Sequence, residues 1–132
     1  MTLWAKRIGL ILLVIVLGTV IDYVVHQMDP AFSVPSNYFP HKIFYGPLWG
    51  FVGYLVFGAW FKLLKTPFWV AFTIAAVPAV LLQTMYFIQG HQQLWVVFFF
   101  LVAHFFMFLL PGYFICKKYV SVFLDTPAPR VP

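Results

Sequence analysis

A chain of 132 residues that is 64% hydrophobic and only 8% charged is excluded from the soluble class, in which about a quarter of residues carry charge and a short chain cannot hide so much apolar surface. Eight Lys and Arg against three Asp, with no Glu, give a net charge of +5, yet the cations are scattered and no dense basic run exists, so nucleic acid is excluded as a partner. The single cysteine, Cys116, rules out an intrachain disulfide and any zinc site made of several cysteines.

The first apolar stretch runs from Ile8 to His26, close to the roughly 20 residues that carry a helix across about 30 Å of hydrocarbon. Lys6 and Arg7 before it invite a signal-peptide reading. The apolar run outlasts a signal core, however, and no small-x-small cleavage pattern precedes Met28, which predicts an uncleaved helix. Gly18, Thr19, Asp22 and His26 share one face, and that face cannot look at lipid. The connection Gln27 to His41 is punctuated by Pro30, Pro35 and Pro40 and predicts an irregular, Pro-rich outer loop resting on the bundle through Phe32, Tyr38 and Phe39.

The second stretch, Ile43 to Leu64, carries Gly46, Gly50 and Gly53 on one face, where another backbone can approach closely, within the chain or in a second subunit. The third, Phe68 to Gln89, presents Ala76, Ala79, Gln83 and Tyr86 as a small and polar stripe. A short turn, Gly90 to Gln93, holds His91, read as a loop residue and a reserve ligand only. The fourth, Leu94 to Cys116, has His104 as the only ionisable residue between Val96 and Pro111. After Lys118 one or two amphipathic turns are expected, then a loose tip with Pro127, Pro129 and Pro132.

Lipid cannot satisfy backbone polar groups, and the alternating pattern of barrel strands is absent, so the fold predicted is all-α. It is a four-helix transmembrane bundle forming one membrane domain over residues 1–132. Lys6, Arg7, Lys62, Lys65, Lys117 and Lys118 fall on one side of such a bundle and Lys42 on the other, which predicts both termini in the cytoplasm, in a plasma membrane.

Three arrangements compete for the buried polar residues. Asp22 and His26, one turn apart, could join His41 in a nitrogen and oxygen ligand set for Zn, Cu or Fe, with His91, Asp29 or His104 completing it, although no HExxH signature accompanies them. Asp22 could instead pair with His26, Lys42 or His104 to neutralise a buried charge, or Asp22 or His104 could carry a proton. The 17 Phe, 7 Tyr and 5 Trp suit either acyl chains or a flat apolar ligand such as a quinone. No catalytic signature is present. The reading that asks least is a noncatalytic subunit or assembly factor of a larger membrane complex, or a homo-oligomer in the lipid bilayer. The alternatives are a metal-binding membrane protein or metal-dependent enzyme, and a small proton-coupled transporter.

Overall fold

Where the solvent offers a peptide group no partner, each segment must close its own hydrogen bonds, and the chain does so. The computed structural model describes residues 1–90 and 93–124, and among these it is helical without strands. Helix α1 spans Leu3–His26 and α2 spans Tyr38–Val52, continued by a π-helical segment, Gly53–Trp60. Then follow α3 (Pro67–Gln89), α4 (Leu94–Lys118) and the short α5 (Val120–Phe123). Four helices are long and apolar enough to cross a membrane: α1, Tyr38–Trp60, α3 and α4.

The ends of these helices differ from the apolar pattern for identifiable reasons. Helix α1 begins at Leu3 rather than Ile8, because Thr2 caps it: its Oγ1 accepts from the Ala5 N–H at 3.2 Å. Lys6 and Arg7 thus belong to the helix. Helix α2 takes in Pro40, which the sequence places in the loop; in the first turn a proline's missing N–H removes no intrahelical bond. At its far end the helix stops at Trp60, and the turn 61–66 includes Lys62 at φ 55°. Thr66 then caps α3, with Pro67 in the first turn, and Gly90 ends it in the left-handed conformation at φ 65°. Between α1 and α2, Pro30–Phe32 forms a 3-10 turn capped by Asp29, whose Oδ1 accepts from the Ala31 N–H at 2.8 Å.

Consecutive helices run antiparallel, and α4 closes the ring on α1. Gly46 and Gly50 of α2 lie against Ile15 and Ile11 of α1, and Gly53 lies so close to the Thr73 carbonyl of α3 that a Cβ would collide with it. Gly18 receives the Phe108 ring in the same way. The core nearer the chain ends is apolar, built from Ile11, Val14 and Ile15, from Val70, Ala71, Ile74 and Ala75, and from Phe108. Opposite faces, such as Leu12, Leu13, Leu17, Val20 and Val24 of α1, are exposed, as lipid contact requires.

At the terminal end α5 folds back over the bundle. The Arg7 Nε donates to the Val122 carbonyl at 2.7 Å, its guanidinium stacks on Trp4, and the Tyr54 hydroxyl donates to the Phe123 carbonyl at 3.2 Å. The two ends of the described chain therefore meet. The tail after Leu124, expected to be loose, lies outside the described residues.

Candidate functional site: a buried Asp, Lys and His centre

One turn from the end of α1, the buried stripe of that helix changes from aliphatic to polar, and three helices converge there. Asp22 is 0% exposed, Lys42 1%, His104 0% and His26 4%. The Lys42 ammonium, from α2, donates to Asp22 Oδ2. The His104 Nε2, from α4, lies 2.9 Å from Asp22 Oδ1 and 3.4 Å from the Lys42 Nζ. His26, one turn beyond Asp22 on α1, brings its own Nε2 to 3.2 Å from the same Oδ1.

Aromatic rings wall the centre. His26 stacks on Phe100 at 4.3 Å between centroids, and the Lys42 Nζ lies 5.0 Å from the Tyr86 ring and 5.1 Å from the Phe39 ring. Tyr86 is held in turn by Tyr38, stacked at 5.2 Å. The hydroxyl of Tyr38 donates to Gln89 Oε1, which ties the start of α2 to the end of α3.

The hydrogen-bond inventory of His26 is the informative feature. Its Nδ1 meets the Phe32 carbonyl in the 3-10 turn. A carbonyl oxygen only accepts, so Nδ1 must carry a hydrogen. In a neutral imidazole the other nitrogen is then a bare lone pair, and here it faces a carboxylate oxygen without hydrogen-bond geometry. Two acceptors facing each other at this range call for a cation between them. A proton on Nε2 meets the demand, and so does a metal ion.

Asp22, His26 and His104 do form a group whose ligand atoms all lie within 4.8 Å of one another, and an Nδ1 anchored to a carbonyl is how ligating histidines are oriented. Charge decides between the two cations. Lys42 already neutralises Asp22, and no other acid is buried among the described residues: Asp29 is exposed on its turn and Asp125 lies outside them. A divalent ion would leave two uncompensated charges in the bundle and a proton only one, at a penalty of several kcal/mol per buried ion. The place next to Asp22 and His104 is, moreover, held by the ammonium.

Of the other residues singled out by the sequence, His41 is exposed and lines a groove between α2 and α3 with Tyr45, Trp49, Pro78 and Leu82, away from the centre. Gln83 and Tyr86 are buried, as is Thr19, and the Gln83 amide, the Tyr86 hydroxyl and the Thr19 hydroxyl have no hydrogen-bond partner. His91 lies outside the described residues. The Phe32 carbonyl went unforeseen, because a backbone acceptor leaves no mark in a sequence.

At the α1–α2 end a hollow of about 250 Å³ is lined by His26, Gln27, Asp29, Ser33 and Phe39. His26 therefore stands between this hollow and the fully buried Asp22. On the other side of the centre the apolar core follows directly. Compared with protein-family models, with curated proteins and with solved structures, the chain matches none.

Proposed function

We propose that this chain is a small integral membrane protein that takes up and releases a proton at its Asp22 centre by way of His26, as the working step of a small proton-coupled transporter. The observation that carries the reading is the opposed pair of acceptors, His26 Nε2 and Asp22 Oδ1, 3.2 Å apart, with the other ring nitrogen committed to a carbonyl. The groups facing this pair are Thr19 on α1, Lys42 on α2, Tyr86 on α3 and His104 on α4, and Lys42 is ion-paired to the same carboxylate.

With a proton on Nε2, His26 donates to the Phe32 carbonyl and turns its second N–H toward the Asp22 carboxylate one turn earlier on α1, so the end of α1 is held to the 3-10 turn. When that proton leaves into the hollow, lone pair and carboxylate repel, and the imidazole loses its hold on Asp22. Two states of the outer end of α1 follow, differing by one proton. If the cationic flanks face the cytoplasm, as their distribution favours, the hollow opens to the outer side.

Nitrogen NMR of the histidine rings in the purified protein tests this, because a ring nitrogen that bears a proton and one that does not give distinct signals. The expected result is a His26 Nδ1 that bears a hydrogen, an Nε2 present in both protonated and bare forms, and a changed balance between them in Asp22→Asn. Proton-driven flux in liposomes should vanish in the same variant. A His26 whose Nε2 takes one form only, in the wild type and in Asp22→Asn alike, would overturn the reading. The centre would then be a fixed clamp, and a native mass in mild detergent with other chains attached would favour the subunit or assembly-factor role.

A further inference from the structure

On one flank of the bundle α3 and α4 part to leave a lateral groove of about 280 Å³, lined by Gln83, Thr84 and Phe87 from one helix and by Leu94, Phe98 and Leu101 from the other. No charged side chain lines it among the described residues. The Thr84 hydroxyl is spent on the Val80 carbonyl at 2.8 Å. What remains is the Gln83 amide, 2% exposed, with neither Nε2 nor Oε1 hydrogen-bonded. Native bundles leave few buried polar atoms unpaired, and one that lines an opening calls for a partner from outside the chain.

The mouth of the groove is apolar. Phe87, Leu94 and Phe98 are 58%, 60% and 62% exposed, on surfaces that face acyl chains if the helices cross a bilayer. A partner must therefore arrive through the lipid, carry no charge, and present oxygen to an amide that can both donate and accept. A phospholipid phosphate would find no cation here. A flat head also suits the flanking Phe87 and Phe98 better than a branched glycerol.

We propose that this groove binds the head of a membrane-dissolved quinone, whose ring carbonyl accepts from Gln83 Nε2, while the hydroxyl of the reduced form donates to Oε1; the apolar tail stays in the bilayer. The site rests on the four helices crossing a membrane and is independent of proton loading at Asp22.

The test uses the full chain in lipid nanodiscs and an azido-benzoquinone with one short isoprenoid tail, photocrosslinked and mapped by mass spectrometry. Saturable labelling of α3 and α4 around Gln83 is expected, competed by the unmodified quinone and not by an isoprenoid alcohol or a phosphatidylethanolamine of matched chains. Gln83→Leu, which removes the unpaired amide and keeps an apolar face, should cut labelling at least tenfold. Phe44→Leu on the exposed face of α2 should leave labelling unchanged. Circular dichroism of each variant verifies the helices, and Gln83→Asn, which keeps a shorter amide, should retain part of the binding. Equal labelling of the wild type and Gln83→Leu, labelling that never saturates, or equal competition by the alcohol or the phospholipid would each overturn the proposal.

Discussion

The Asp22 carboxylate is the residue on which the interior depends, because it is the only buried acid among the described residues and faces an ammonium and two imidazoles. Breaking such a pair from one side is worse than removing it, since the remaining charge stays buried and uncompensated. Lys42→Met should destabilise the bundle by about 3–5 kcal/mol. The double variant Asp22→Asn with Lys42→Met should recover most of that loss. Denaturant unfolding in detergent, followed by helical signal, measures both; equal stability of the single and double variants would remove the ion pair from the account.

The same charge inventory predicts that the purified protein holds zinc, copper or iron well below one ion per chain. Elemental analysis checks it, and one ion per chain that disappears in His26→Ala would return the centre to a metal reading.

Much of this centre could be read from residues alone. Asp22 and His26 fall one turn apart on a stripe with Gly18 and Thr19, and His104 stands isolated in an apolar helix. Register on α2 was not legible. His41 and Lys42 are neighbours, and consecutive residues on a helix point about 100° apart, so only one of them can enter the centre. The structure turns Lys42 inward and His41 outward. Arg7 is a similar case: by position it is a flank cation, but it is buried against the C-terminal segment, a contact 115 residues away in the chain that local pattern cannot reveal.

At the scale of the element, the glycines of α2 show which features of packing are local. Their spacing announces a close approach, but the partner differs along the helix: α1 for Gly46, and the α3 backbone for Gly53. Gly53→Ala drives a Cβ into the Thr73 carbonyl, and neither backbone can give way easily. It should cost about 1–3 kcal/mol, as overpacking does. Gly9→Ala is the opposite case, since a Cβ there meets nothing within 4 Å and the helix gains roughly 0.5–1 kcal/mol of propensity. Thermal unfolding of the two variants side by side should show shifts of opposite sign. The widening of α2 into a π-helix from Gly53 to Trp60 had no sequence signal, because the apolar composition is unchanged there and only the hydrogen-bond partner slips by one residue.

For the whole molecule, the hydrophobic fraction and the four long apolar runs were enough to obtain the four long helices and their order. Which way the bundle faces is decided by a bilayer, and the distribution of cations makes a testable statement about it. With the 61–66 turn and both termini on the cytoplasmic side, Ser36→Cys on the α1–α2 connection should react with an impermeant thiol reagent added to intact cells, and Lys65→Cys should not. Both positions are exposed, and Cys116 is 1% exposed, so the native thiol adds little background. Labelling of Lys65→Cys alone would invert the topology and put the His26 hollow on the inner side.

The pairing of Asp22 with Lys42 also bears on how the protein is made. These two residues lie in the first two helices, whereas His104 belongs to the last, so a ribosome delivers the carboxylate and its ammonium long before the imidazole. A nascent hairpin of α1 and α2 thus carries its buried acid already paired with a base. His104, and the Val122 carbonyl that receives Arg7, join that pair late in synthesis.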